Sequence, residues 1–452
     1  MTTPPVGLSY ARALQALGER GRFGVRLGLD RTRALLDGLG NPERTVRGAL
    51  VAGTNGKGSV LALADSALRA AGYRVGSTPK PHLVSYRERV QIDGRPIAAG
   101  DFSRLVSRVL EVSDTIAPSR GEPTEFELLT AVVFTRFAEV RPDVALVEVG
   151  LGGRLDATHT WDGGVAVVTN VDLDHTDRLG LTVAAIAREK AAIIERGDLA
   201  VSGAQGEGLA VIRRRARRVG VPLTEAGPAA LLGWDRDSIE VELPSLGRTR
   251  VGLRGRHQAA NVAIADALLD ALEDAGIATT SAAARRAGYA GAVWPGRLEL
   301  LRIGGRDVLL DGAHNPAGAA ALAVALDDLR PFLIDGPLTF NTASMADKDV
   351  DGVVAALVRT GALARATVVC TSLDLPRALP ARELAARWRA LYPDGTIVVE
   401  PDPIAALDRV LDGPASAIGP LVVAGSLYLV GAARGHLVDD PDLRDPDPSE
   451  DP

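Results

Sequence analysis

The chain has 452 residues, of which 46% are hydrophobic and 24% charged, with a formal net charge of -6. That length predicts two or three domains, and that composition is ample for buried cores. No apolar run is long enough to span a membrane, and "MTTPPVGLSYARALQ" lacks the charged start and apolar core of a secretion signal. The single cysteine, Cys370, excludes an internal disulfide; a cytoplasmic location is therefore expected. Its setting, "ATVVCTS", reads as a strand with a buried, inert thiol. All of the net charge sits in the tail, "DDPDLRDPDPSEDP", so residues 439–452 are expected to be disordered. The neutral remainder gives no electrostatic footprint for nucleic acid, and no membrane partner is expected.

In chain order, "VRGALVAG" predicts a strand running into a glycine-rich loop, and "KGSVLALADSALRAAG" an amphipathic helix with a glycine stop. "DVALVEVG", "GVAVVTN" and "LAVSG" predict further buried strands, alternating with helical patterns as in a parallel sheet covered by helices. "DSIEVELPSLGRTRVGLRG" alternates like an antiparallel hairpin, and "HQAANVAIADALLDALEDAG" reads as a helix. The pattern restarts at "AVWPGRLELLRIGGRDVLLDGAHNP", which puts a domain boundary near Trp294 to Arg297. "PLTFNTA", "RATVVCTS", "TIVVEPD" and "PLVVAGSLYLV" are the strands expected after it.

Chemistry gathers at strand ends. "GTNGKGS" joins a strand to a helix, where backbone N–H groups and the helix dipole bind anions and glycines allow close approach. Lys57 would neutralise the outer phosphates of a nucleotide and Ser59 would face Mg²⁺. A plain glycine turn is the simpler reading, but Gly56 and Gly58 flanking a lysine at such a junction favour phosphate. A dinucleotide fold is disfavoured, because neither this loop nor "GLGGRL" fits G-x-G-x-x-G. Glu148 and His175, each at or just past the end of a strand, are plausible Mg²⁺ ligands; a glutamate capping a turn and a loop histidine are the simpler readings. Lys190, beside Arg188 and Glu189, reads from composition as a surface lysine with a buried stem. Asp311 ends a strand in the second region, His314 lies in the turn that follows, and Asn315-Pro316 opens a helix.

Together, "GTNGKGS", "PHLVSYRERV", "TEFELLTA", "LVEVGLGGRLDATH", "LDHTDRLG", "AREKAAI", "WPGRLE" and "LDGAHNP" resemble, in order and spacing, the folylpolyglutamate synthase / dihydrofolate synthase family of Mur-type ligases. The resemblance covers about residues 5 to 435. It implies an α/β architecture: an N-terminal P-loop-type domain on a mostly parallel sheet (1–295), then a smaller Rossmann-like domain (296–438). It implies ATP-dependent ligation of L-glutamate to dihydropteroate or reduced folates by a monomer. Thr54, Asn55, Gly56, Lys57, Gly58 and Ser59, with Asn261, Arg297 and Asp311, match ATP-contacting positions. Thr124, Glu125, Phe126 and Glu127, with Leu155, Asp156 and Ala157, match the pteroate-binding segments. Ser59, Glu148, His175 and Lys190 match the surroundings of two Mg²⁺ ions, Lys190 as a carbamylated lysine. Lys57, Lys190 and His314 are the catalytic candidates.

One departure stands out. The family usually has a Mg²⁺-binding serine immediately before "PHL", and here that position is Lys80. Either its ammonium replaces a metal ion, or it points away and Ser77 or Thr78 substitutes.

Overall fold

The computed structural model describes residues 7–21, 26, 28–413 and 419–446. The chain divides into two compact units: Met1–Pro228 with Ala260–Gly288 and Pro441–Pro452, and Ala229–Ala259 with Tyr289–Asp440.

The first unit is built on an eight-stranded sheet: β1 (Gly48–Ala52), β2 (Val75–Thr78), β3 (Gln91–Ile92), β4 (Arg95–Pro96), β5 (Val144–Glu148), β6 (Gly164–Val168), β7 (Leu199–Ser202) and β8 (Leu223–Glu225). Their spatial order is β4-β3-β2-β5-β1-β6-β7-β8. All neighbours are parallel except β2–β3 and β3–β4. β1 and β5 are buried along their whole length, which is why "GALVA" and "VALVE" read as continuous rather than alternating apolar runs. The helices are α1 (Tyr10–Gly21), α2 (Asp30–Gly38), α3 (Lys57–Ala70), α4 (Ala99–Arg120), α5 (Glu125–Val140), α6 (Thr176–Leu179), α7 (Val183–Ala191) and α8 (Gly206–Val219). The chain runs from β1 to β2 on one side and later places β6 to β8 on the other. The strand order thus reverses around β1, and the crevice at the carboxyl ends of such strands is where open α/β sheets hold ligands.

In the second unit, β9 (Ala230–Trp234), β10 (Ile239–Leu243) and β11 (Gly247–Val251) form the expected antiparallel patch, which groups with this unit although it precedes residue 296. α9 (Gln258–Asp274) and α10 (Ala282–Gly291) follow in the chain, and Ala260–Gly288, which spans most of both, groups with the first unit. The remaining sheet contains β12 (Glu299–Ile303), β13 (Arg306–Asp311), β14 (Thr339–Thr342), β15 (Thr367–Cys370), β16 (Thr396–Val399) and β17 (Leu421–Ala424), in the order β12-β13-β17-β14-β15-β16. α11 (Pro316–Leu329) starts at an Asn315 cap whose Oδ1 accepts Gly318 N–H at 2.8 Å. Cys370 is fully buried, and burial pushes its thiol up to about 12, as an inert core position requires.

Two expectations change. "PLVVAGSLYLV" is not one strand. Gly425 takes φ +107 and Ser426 caps a helix over Leu427–Leu437, accepting Tyr428 N–H, so only "LVVA" is extended. The tail is not uniformly loose either. Leu443 is buried, and Asp445 Oδ1 accepts from Tyr10 Oη at 2.9 Å, Ser85 Oγ at 2.6 Å and Arg87 Nε at 3.3 Å. Arg87 also donates to the Arg444 carbonyl at 3.0 Å. One apolar side chain and one carboxylate matched to buried donors hold a segment whose composition alone would not fold; residues 447–452 lie outside the described residues. Asp445→Ala is expected to lower stability by about 1–3 kcal/mol, because it leaves the buried Tyr10 and Ser85 hydroxyls without this acceptor. A thermal melt that matches the wild type would contradict this.

Candidate active site

The loop after β1 is shaped by two glycines. Gly53 has φ +156, and a Cβ there would lie 1.8 Å from Thr169 Oγ1; Gly56 has φ +81, and a Cβ would meet Asn261 Oδ1 at 2.4 Å. Any larger residue would therefore displace the loop. Asn170, just past β6, fastens it: its Oδ1 accepts from Thr54 N at 3.1 Å and Asn55 N at 2.8 Å. Thr169 Oγ1 donates to the Asn55 carbonyl at 2.6 Å. Asn170 did not emerge from the motifs; its signal was a polar residue directly after a buried strand, in line with the loop. Asn261, on α9, stands against Gly56.

Lys57 begins α3. Its Nζ donates to the carbonyls of Gly53 (3.1 Å) and Thr54 (3.4 Å) and lies 3.8 Å from Glu148 Oε1. Parallel register sets Val51 opposite Glu148, so the carboxylate arrives beside the loop while remaining buried. Ser59 is buried in the first turn of α3. Lys190 overturns the surface reading: it is 4% exposed, and its Nζ donates to the Gly53 carbonyl at 2.8 Å. Burial, with the nearby Lys57 charge, lowers its amine to about 7, against the pull of Asp174 and Asp156. "GLGGRL" makes room for it: a Cβ on Gly153 would lie 2.8 Å from the Glu189 carbonyl and 3.1 Å from that of Lys190.

His175 takes a left-handed conformation (φ +49) at the start of α6, with a half-exposed side chain whose Nε2 is 3.9 Å from Asp174 Oδ2. Among the described residues, no three His, Cys, Asp or Glu side chains are gathered as a preformed metal cage.

The segments matched to pteroate binding divide by role. Thr124 and Glu127 form a capping box at the start of α5, and Glu127 is also held by Arg31. Asp156 is buried, accepting from Leu151 N, Thr158 N and Thr158 Oγ1, which fixes the turn carrying Leu155 and Ala157. Glu125 and Phe126 instead face the loop after β2. Glu125 Oε1 accepts from Tyr86 Oη at 3.0 Å, and the Phe126 ring lies 5.0 Å from Lys80 Nζ. The Tyr86 and His82 rings lie 4.2 Å apart at a 40° tilt, and Arg89 Nε donates to His82 Nδ1 at 2.8 Å. Burial and that guanidinium lower His82 to about 3, so its ring is neutral near pH 7. This aromatic group lay within "PHLVSYRERV", but only folding shows that its polar groups answer one another. Lys80 does not point away: its backbone N–H donates to Glu148 Oε2 at 2.9 Å and its Nζ to the Glu148 carbonyl.

In the second unit, Asp311 ends β13, accepting from Leu298 N and Ala313 N at 2.9 Å each. Burial raises its carboxyl against the opposing pull of Arg297. Gly312 lets Arg297 lie close, since a Cβ there would be 2.3 Å from Nη1. His314 Nδ1 meets the Gly312 carbonyl at 2.8 Å.

A glycine-rich strand-to-helix loop, with buried Glu148 at the end of β5 and buried Lys190 of α7 turned to it, fits an ATP-dependent ligase of the Mur type. Residues 51–269 match the Mur ligase middle domain and residues 301–434 the dihydrofolate synthetase C-terminal domain. A dihydrofolate synthase/folylpolyglutamate synthase of Mycobacterium tuberculosis is 37% identical over 455 residues, covering 91% of this chain and 90% of that protein. The M. tuberculosis folylpolyglutamate synthase complexed with ADP and AMPPCP superposes with a TM-score of 0.83 at 33% identity, over 95% of this chain and 99% of that one. A bifunctional folylpolyglutamate synthase/dihydrofolate synthase with Mn, AMPPNP and L-glutamate bound gives 0.79 at 27% identity, over 96% and 100%. The chain belongs to the dihydrofolate synthase/folylpolyglutamate synthase family, ATP-dependent ligases that form C–N bonds.

Proposed function

We propose that this chain is bifunctional, adding L-glutamate to dihydropteroate and then to reduced folates, as a cytoplasmic monomer. The observation that carries the reading is the convergence of Lys57, Glu148 and Lys190 on the loop after β1. Among the described residues, no helix is long and apolar enough to cross a membrane.

A carboxylate resists attack by an amine until one of its oxygens becomes a better leaving group. In the first step the γ-phosphoryl of ATP leaves ADP as a carboxylate oxygen bonds to phosphorus, giving an acyl phosphate. The nitrogen of L-glutamate then attacks the carbonyl carbon. Phosphate departs with the C–O electron pair, and the amine loses its proton. Thr54 to Ser59 form the phosphate-binding loop. The backbone N–H groups at the start of α3 hold the phosphates while those of Thr54 and Asn55 are held by Asn170, and Lys57 offsets charge on the moving phosphoryl. Asn261 borders the loop, and Arg297 and Asp311 supply further nucleotide contacts. Glu125 and Phe126 bind the pterin acid, with Asp156 fixing the turn of Leu155 and Ala157. His314 is assigned to the reacting end of the nucleotide.

Divalent metal fits the oxygen chemistry of Ser59 and Glu148, with His175 as a nitrogen ligand, and when bound would neutralise phosphate charge. Lys190 would contribute once carbamylated: its neutral amine adds to CO₂, loses a proton and gains a carboxylate. Two metal positions are proposed on that basis.

Incubation of the purified protein with ATP, L-glutamate and dihydropteroate is expected to release ADP and form dihydrofolate; tetrahydrofolate should be extended in the same assay. Product from tetrahydrofolate alone would restrict the enzyme to polyglutamylation. Absence of folate-dependent ADP release would leave only a nucleotide-binding relative.

A further inference from the structure

Lys80 stands between two groups of residues that the ligation reaction must bring together. On one side is the phosphate loop: Glu148, which receives both the backbone and the side-chain hydrogen bond of Lys80, faces Lys57 through its other oxygen. On the other side is the flat Phe126 ring, 5.0 Å from Nζ. That ring closes over Gly150, where a Cβ would come within 2.6 Å of Phe126 Cζ and 3.1 Å of Asp156 Oδ2. The Lys80 backbone and tip are thus both fastened to Glu148, and little freedom remains to be lost when a ligand arrives.

An ammonium has three N–H donors. One is used on the Glu148 carbonyl, and the other two have no acceptor among the described residues. A lysine serving only to brace the end of β5 would not need a positive charge held against an aromatic ring. An anion reaching this place would meet a positioned cation with donors to offer, at the junction of a phosphate site and an aromatic surface.

We infer that Lys80 binds the carboxylate of the pterin substrate and presents it to the γ-phosphoryl group of ATP. The inference rests on the ligation proposed above. Lys80 supplies charge and hydrogen bonds and exchanges no proton. It is a catalytic residue in the strict sense, because it touches the oxygen that is phosphorylated. The sequence offered two roles for this position, a substitute for metal or a bystander. Contact with the substrate carboxylate is a third, and it does not depend on metal.

The test is equilibrium binding in ADP and EDTA, so that neither turnover nor metal contributes. The ligands are pteroate and its neutral primary amide, titrated by fluorescence into wild type, Lys80→Met, Lys80→Gln and Lys80→Arg. The two neutral variants are expected to weaken pteroate by about 10- to 100-fold, the range of a charge-assisted hydrogen bond. Amide affinity should stay within about twofold of wild type on the same reasoning, and Lys80→Arg should retain most of the affinity for the acid. Unchanged binding of pteroate by both neutral variants would overturn the inference. So would an equal loss for acid and amide, or failure of both neutral variants to fold, since either marks a structural brace. If wild type binds neither ligand, the proposed function falls together with this inference. If it binds both and the variants match it, only the role of Lys80 falls.

Discussion

Lys57→Met is expected to lower kcat by about 10²- to 10³-fold, the usual effect of removing one preorganised charge from a reacting oxyanion. Methionine keeps most of the stem, so the half-buried packing at the start of α3 survives while the charge does not. In the structure Nζ is held by the Gly53 and Thr54 carbonyls with Glu148 Oε1 at 3.8 Å. It is poised over the loop rather than committed to one carboxylate, and it can turn to a phosphate without breaking a tight ion pair. Binding of ATP should suffer less than turnover, because the backbone N–H groups of the loop and the dipole of α3 remain. Single-turnover kinetics with saturating ATP separates the two effects. A rate constant within about threefold of wild type would mean that Lys57 contributes ground-state binding at most.

Much of this arrangement was legible because it follows local rules. Buried parallel strands leave continuous apolar runs, and glycines mark places where backbone must pass close to something else. Gly53, Gly56 and Gly153 were visible as a pattern, although what each avoids, Thr169, Asn261 and the α7 backbone, was not. Lys190 shows why the rest was hidden. Its neighbours Arg188 and Glu189 suggest a surface, yet Ile186, Ala187 and Ala191 bury one face of α7, and Lys190 lies on it at the i+4 and i+3 positions. Periodicity carried the correct signal, and local composition masked it. Asn170, the His82–Tyr86–Arg89 group and the Asp445 latch depend on partners far away in the chain or on polar groups meeting only after the loop has folded. No window of sequence contains both halves of the Asp445 contact, since it joins the last segment to Tyr10 and Ser85. The switch from strand to helix at Ser426 was locally encoded by a glycine and a capping serine, but an uninterrupted apolar run obscured it.

Lys190→Ala is expected to reduce turnover by at least about 10²-fold, on the same reasoning for a charge-stabilising contact. Added bicarbonate with a short carboxylic acid should restore part of it. An ammonium buried to 4% exposure beside Lys57 is disfavoured, and the amine falls to about 7, so its neutral form grows as pH rises through that value. Only the neutral amine has the lone pair that adds to CO₂. Carbamylation should therefore increase from about pH 6 to pH 8 at fixed dissolved CO₂, whereas an ordinary lysine would remain almost wholly protonated across that range. The modified side chain would carry a negative charge in place of a positive one, changing Lys190 from a competitor of Lys57 into a group that Lys57 and a bound cation both favour. A short acid rescues the alanine variant if the missing element is a carboxylate; a short amine rescues it if the missing element is the amine itself. Native mass spectrometry of the wild type in CO₂-rich buffer gives a readout independent of activity. An unmodified lysine at pH 8, together with rescue by amine and not by acid, would rule out the carbamate and leave Lys190 as a donor that shapes the phosphate loop through Gly53.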